Sequence, residues 1–196
     1  MIPIQNIYYM LSYAFQVLNE QGYKNIATEQ FNNTGELMAA ILEKGIAIQL
    51  KRGLGKEYIP QTEALSSLRG KIDIAESIKT QSMLRKQLIC TYDEFSVNSI
   101  MNRIIKSTVE LLLRSNISKQ RKKNLRKLMV YFSEVDFIDS YTVNWNVQYN
   151  RNNQTYRMLI SICYLVVKGL LQTQSNGHTE LMDFLDEQRM CRLYEK

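Results

Sequence analysis

Histidine, tryptophan, proline and cysteine are scarce in this chain: its 196 residues hold one His, one Trp, two Pro and three Cys. The single histidine, His178, has no Ser, Cys or Asp at a recognisable spacing, so it supports neither a catalytic triad nor a zinc site. Cys90, Cys163 and Cys191 are odd in number, unclustered and set among apolar residues. They read as reduced packing residues of a cytosolic protein rather than as disulfides or metal ligands. No basic region followed by an uninterrupted apolar core opens the chain, so no signal peptide is expected. Long apolar runs are missing too. The best candidate, Tyr156 to Leu171, is interrupted by Arg157 and Lys168 and falls short of the roughly twenty residues a bilayer requires. It is expected to be a buried central helix, and no membrane partner is expected.

Two further absences concern chemistry. GLGKE, Gly53 to Glu57, has the Gly-Lys pair of a phosphate-binding loop, but Leu50 stands where the first glycine belongs and Glu57 where Ser or Thr would hold magnesium. A turn into a strand is expected there. A PD-(D/E)xK nuclease needs an Asp and, on the next strand, an acidic residue two before a Lys, to bind magnesium and activate water. Asp93 and Glu94 are adjacent and would face opposite ways in a strand. Asp183, Asp186 and Glu187 lie around a helix start with no lysine to follow. Capping and solvation account for both groups, and no catalytic or metal residue is expected in this chain.

The 45% hydrophobic content supports a real core, and no repeat or low-complexity linker divides it. Ile4, Ile7, Tyr8, Leu11, Phe15 and Leu18 share one face of an opening helix that tolerates Pro3 in its first turn. Tyr8, Tyr9 and Tyr13 carry rings that could stack on bases, but their helical spacing fits core and rim. Thr34 is placed to cap a helix running to about Leu50, with Gly53 just past its end. The period then changes: Lys56 to Glu63, Gly70 to Ile74 and Gln87 to Tyr92 read as short strands, with a helix from about Ala75 to Leu84 between the last two. Asn144 to Thr155 is the most loop-like stretch. At the end, Asp186 can cap a helix with Met190, Leu193 and Tyr194 as its stripe; no Gly or Pro closes it before Lys196, so it is expected to fray. The fold class expected is α+β, a mostly helical single domain over 1–196 with a small antiparallel sheet of about three strands near 56–92.

Between these lies the most patterned segment, Thr91 to Leu113. Val97, Ile100, Met101, Ile104, Ile105, Thr108, Leu111 and Leu112 form one continuous stripe, and Ser96 is placed to cap the helix. The opposite side carries Asn98, Asn102, Arg103, Lys106 and Glu110, with Asn102, Lys106 and Glu110 in one row. A second helix, Ser118 to Phe132, sets Lys119, Arg121, Lys122, Lys123, Arg126 and Lys127 against Leu125, Leu128, Met129 and Phe132. With a formal net charge of +6, this run is the best candidate for a contact with DNA. A solvated face that keeps an apolar helix soluble has the same pattern.

The segment NRIIKST, Asn102 to Thr108, resembles the central helix of McrC, the nuclease-bearing subunit of the McrBC modified-cytosine restriction system. IPIQNIYYMLSYAF, Ile2 to Phe15, is similar to that family's opening helix. Leu42 to Ile78, which contains LRGKID, and the closing RLYEK, Arg192 to Lys196, match in the same order and roughly the same spacing, so the resemblance spans the chain. It implies an N-terminal regulatory part that docks on a McrB-like AAA+ GTPase ring, with GTP and magnesium held by that partner, in cytoplasmic restriction of modified DNA and defence against phage. It also implies that the nuclease, with its own magnesium, lies beyond the RLYEK-like block and is absent here, leaving no activity in this chain alone. Arg69 and Lys71, with Asn102, Arg103 and Lys106, are the polar residues inside the matching blocks and the expected partner interface; intramolecular pairing would also explain them. Two rival readings are a free-standing DNA-binding module acting through the basic helix and an inactive remnant of a truncated gene.

Overall fold

A computed structural model of the chain describes residues 4–19, 23–139, 142–149 and 153–171. Among them the architecture is α+β, with seven α-helices and one three-stranded antiparallel sheet. The described residues divide into two compact units: Gly55–Ser99 form one, and those before and after them form the other. One domain was expected from sequence because no Pro/Gly/Ser-rich linker marks either junction. The inserted unit begins and ends in short turns that lead directly into regular structure.

In the helical unit, α1 (Ile4–Ala14) buries Ile7, Tyr8 and Leu11, as its period requires. It stops at Ala14 rather than reaching Leu18, and a 3-10 turn (Gln16–Asn19) takes over, with Leu18 fully buried. Tyr8 is turned inward while Tyr9 and Tyr13 are exposed. A short α2 (Lys24–Thr28) precedes α3 (Thr34–Arg52). The cap of α3 is Asn33, one residue before the expected Thr34: its side chain accepts from the Glu36 amide at 2.7 Å, while Thr34 is buried in the first turn. Gly53 closes α3 with φ +89°, a conformation a side chain would strain.

α5 (Ile100–Arg114) buries Met101, Ile104, Ile105, Thr108 and Leu112, the expected stripe. It starts three residues later than the sequence pattern suggests. Ser96 does not cap it: that residue ends a strand, and its hydroxyl accepts from the Asn98 amide at 3.1 Å in the intervening turn. α6 (Lys119–Met129), capped by Ser118, continues into a 3-10 turn (Val130–Phe132). α7 (Gln154–Leu171) buries Met158, Leu159, Ile162, Cys163 and Val166 and packs on both α3 and α5, the central position expected of it. At its crossing with α3, a Cβ on Gly45 would lie 2.6 Å from Leu159 Cδ2, so the two helices approach closely because position 45 has no side chain. No described helix is long and apolar enough to cross a membrane.

The inserted unit holds β1 (Glu57–Leu65), β2 (Lys71–Asp73) and β3 (Leu88–Ser96) in the order β1-β3-β2. β1 and β3 pair antiparallel along their whole lengths, from Glu57 opposite Ser96 to Leu65 opposite Leu88. β3 therefore extends four residues past the expected end at Tyr92. Pro60 is tolerated because β1 is an edge strand. The expected helix 75–84 is split into α4 (Ile74–Lys79), capped by Asp73, and a 3-10 turn (Ser82–Arg85). Gln81 and Lys86 flank that turn with φ +54° and +56°, left-handed conformations that sequence does not announce when no glycine occupies them.

Candidate partner-binding surfaces

Gly70 adopts φ +67°, and a Cβ there would lie 2.3 Å from the Thr91 carbonyl oxygen, so only glycine brings the Arg69–Lys71 segment this close to β3. The consequence is a fixed polar cluster. The Arg69 guanidinium lies 4.0 Å from the centre of the Tyr92 ring, and the Tyr92 hydroxyl donates to Glu63 Oε2 at 3.3 Å. Desolvation and the Glu63 carboxylate raise the Tyr92 phenol above its ordinary range. Lys71 pairs in register with Thr91 and is exposed. Arg69, two residues before β2, and Lys71, its first residue, are therefore both exposed cations.

The same unit shows what sequence reasoning missed. Among its described residues the buried ones are Cys90 and the small polar Ser77, Ser82 and Ser99, whereas Tyr58, Leu68, Ile74, Ile78, Met83, Leu84 and Phe95 are exposed large apolar side chains. Tyr58 and Phe95 stack on each other at 4.9 Å, with the Lys56 ammonium 5.6 Å from the Phe95 ring. Lys56 of the GLGKE segment is thus an outward cation on an aromatic pair. The available signal was length: a unit of 45 residues is too small to bury all its apolar side chains.

On α5 the expected interface residues face the protein itself. Asn102 is 0% exposed and accepts a 2.7 Å hydrogen bond from the Tyr156 hydroxyl of α7. Arg103 Nη2 donates to the Phe137 carbonyl at 3.3 Å. Lys106 Nζ donates to the carbonyls of Phe132 and Val135 at 2.9 and 2.6 Å and lies 4.6 Å from the Phe137 ring. Together with Ser107, whose hydroxyl accepts from the Ile138 amide at 2.8 Å, these side chains fasten the segment after α6 onto α5. The intramolecular explanation of Asn102, Arg103 and Lys106 thus has a specific geometry.

α6 also divides. Arg121 is turned inward and bridges Glu29, Glu36 and Glu43, with 2.9 Å to the Glu43 carboxylate and 3.6 Å to that of Glu36. Burial pulls its pKa down, but the Glu43 hydrogen bond and charge, with Glu29, outweigh this and hold it above the ordinary value. Asn124 donates to the same Glu43 at 2.9 Å. Lys119, Lys123, Arg126 and Lys127 are exposed, and Lys122 is half-buried. Asp93 and Glu94 are exposed on β3, and no group of three His, Cys, Asp or Glu is placed to hold a metal among the described residues. His178, Cys191, Asp183, Asp186, Glu187, the Met190, Leu193 and Tyr194 stripe and the RLYEK block lie outside the described residues.

Residues 5–196 match the family model for the McrBC 5-methylcytosine restriction system component. The chain is 31% identical, over its full length, to the type IV methyl-directed restriction enzyme EcoKMcrBC of Escherichia coli (strain K12), and spans 57% of the length of that relative. Its fold is similar to a chain in the cryo-EM structure of the Thermococcus gammatolerans McrBC complex, with a TM-score of 0.62 and 22% identity over 83% of this chain and 50% of that one. A second match is to a refined half-complex from a tetradecameric assembly of T. gammatolerans McrB AAA+ hexamers with bound McrC, with a TM-score of 0.59 and 21% identity over 80% of this chain and 40% of the other.

Proposed function

This chain belongs to the McrBC family of restriction-system components, and from that membership we propose that it is a McrC-like regulatory part that docks on a McrB-like AAA+ ring and stimulates GTP hydrolysis there. The observation that carries the reading is the sheet unit 55–99, which leaves seven large apolar side chains exposed and also carries Arg69, held against Tyr92, and the exposed Lys71. A surface of that kind marks a site made for another protein. The likeness to a chain from an assembly of McrB AAA+ hexamers with bound McrC supports a ring as that protein.

GTP and magnesium belong to the ring in this reading. The chain supplies positioned positive charge and an apolar seat, and stimulation arises as docking reorganises the groups that orient water and stabilise charge at the phosphates. The Arg69 guanidinium, held against Tyr92, is the leading contributor, with Lys71 beside it. Arg103 and Lys106 contribute by holding the segment after α6 in place. The modified base, 5-methylcytosine or another, is read by the partner. The setting is cytoplasmic restriction of modified phage DNA.

The test is GTP turnover by a McrB-like AAA+ protein, measured with and without this chain. Stimulation is expected with the wild-type chain, and a loss of roughly tenfold with Arg69→Ala, about 1.4 kcal/mol in transition-state stabilisation. Leu84→Ser and Phe95→Ser should weaken binding to the ring without unfolding the chain, since both residues are exposed. Full stimulation by all three variants would remove the sheet unit from the interface.

A further inference from the structure

α6 holds six of the 25 basic residues of the chain and none of the 19 acidic ones, so the rest of the molecule balances nineteen against nineteen. The formal charge of +6 is therefore the charge of one helix. Leu125 is its buried anchor, and Arg121 beside it is bridged to three carboxylates. What remains outward is Lys119, Lys123, Arg126 and Lys127, which fall within one arc of the helix opposite Leu125.

This arrangement carries a folding cost. Lys119 and Lys123, Lys123 and Lys127, and Lys122 and Arg126 are like charges one turn apart, with no acidic residue on the helix to relieve them. Lys119 also sits in the first turn, where the helix dipole disfavours a cation. A solvated face can also be all of one sign, but mixed signs would give the same solubility without the like-charge pairs. Among the described residues none of Lys119, Lys123, Arg126 and Lys127 forms an ion pair, and a local conflict of this kind points to a partner that relieves it.

We propose that the outer face of α6 is a ridge that seats the phosphate backbone of double-stranded DNA. From Lys119 to Lys127 the cations span about 12 Å along the helix axis, a length that covers roughly three to four phosphates of one strand. Recognition is independent of sequence. The amides able to read base edges are engaged elsewhere: Gln120 donates to Asn124 Oδ1 at 3.0 Å, and Asn124 donates to Glu43. A membrane surface fits less well, because α6 turns its buried Leu125 inward and the exposed apolar side chains Val130 and Tyr131 lie only in the turn after it, not as a stripe along its outer arc.

The test is fluorescence anisotropy of a labelled duplex with the 196-residue chain alone, across a salt series and with no ring protein present. Four neutralised phosphates predict a log-log salt slope of about −3.6, and Lys119→Gln, Lys123→Gln and Lys127→Gln together should bring it to about −0.9 and weaken binding roughly tenfold or more. The triple variant should be at least as resistant to urea as wild type, since like-charge pairs are removed, so lost binding cannot be ascribed to unfolding. The corresponding triple Lys→Arg variant should bind as wild type does. Binding unchanged in the Gln variant would overturn the proposal, as would binding to anionic phosphatidylserine vesicles in place of the duplex. Because the ring is absent, failure here leaves the docking reading untouched.

Discussion

The Tyr156 hydroxyl donates to Asn102 Oδ1 at 2.7 Å across the α5–α7 packing, with both side chains sealed from water. A polar pair in such a place helps to fix the register of two helices whose packing is mostly apolar. Asn102→Ala removes the acceptor and leaves the phenol buried without it. It should lower unfolding free energy by about 1–3 kcal/mol. Urea denaturation of Asn102→Ala, Tyr156→Phe and the double variant checks this. Single losses that simply add would mean the two residues are not coupled.

Arg121 should behave as a core residue although it stands in a basic run. Its guanidinium is the shared partner of Glu29, Glu36 and Glu43, from the segment before α3 and from α3 itself. Arg121→Ala leaves partly buried carboxylates facing each other and should cost about 3 kcal/mol. Lys123→Ala, two residues on and exposed, should fall within about 0.5 kcal/mol of wild type. Equal effects at the two positions would mean that the carboxylate cluster contributes nothing.

Lys106 predicts a change in dynamics. Its ammonium gathers the carbonyls of Phe132 and Val135 and covers the Phe137 ring. Lys106→Met keeps the aliphatic stem and loses both hydrogen bonds. The Val135 amide, bonded to Phe132 O, and the Ile138 amide, bonded to the Ser107 hydroxyl, should exchange faster by roughly tenfold for each 1.4 kcal/mol lost locally. Amides in the middle of α7 should be unaffected. Unchanged exchange at 135 and 138 would show that Arg103 and Ser107 hold the segment without it.

The apolar stripe of α5 was legible in sequence because Met101, Ile104, Ile105 and Leu112 repeat at helical spacing. That period reports one buried face. It cannot report a second, and α5 meets both α6 and α7, so Asn102 was assigned to a polar row and the expected partner interface. Arg121 was misplaced for a related reason: its carboxylates lie 78 and 92 residues away at Glu43 and Glu29, beyond any local pattern. The cap of α5, expected at Ser96, was missed because Ser96 ends β3, whereas that of α3 was legible to within a residue, at Asn33 in place of Thr34. The break between α4 and the following 3-10 turn was not, since Gln81 takes a left-handed conformation that no glycine marks. At the candidate site, Gly70 was read as the start of a strand, which instead begins at Lys71, after the left-handed Gly70. The stacking of Arg69 on Tyr92 needed the register of β2 on β3 to become apparent.

Cys163 makes stability depend on pH at the alkaline end. Complete burial pushes its thiol from 9.0 to about 12, against a lowering hydrogen bond from Thr108. Burial also raises the Tyr8 and Tyr149 phenols. In each case the folded chain retains a proton that the unfolded chain releases at lower pH. The stabilisation is therefore intact below about pH 8.5 and drains away as pH rises toward 12, at up to about 1.4 kcal/mol per pH unit for each group. Urea midpoints should be flat from pH 7 to about 8.5 and then fall, and Cys163→Ala should fall less steeply because one of the contributing groups is gone. Since only the thiolate is nucleophilic, Cys163 should resist iodoacetamide in the folded chain at neutral pH and react once urea unfolds it, as read by mass spectrometry of the peptide containing residue 163. Rapid alkylation of the folded protein at pH 7 would contradict the sealed position of this thiol between α7 and Thr108 of α5.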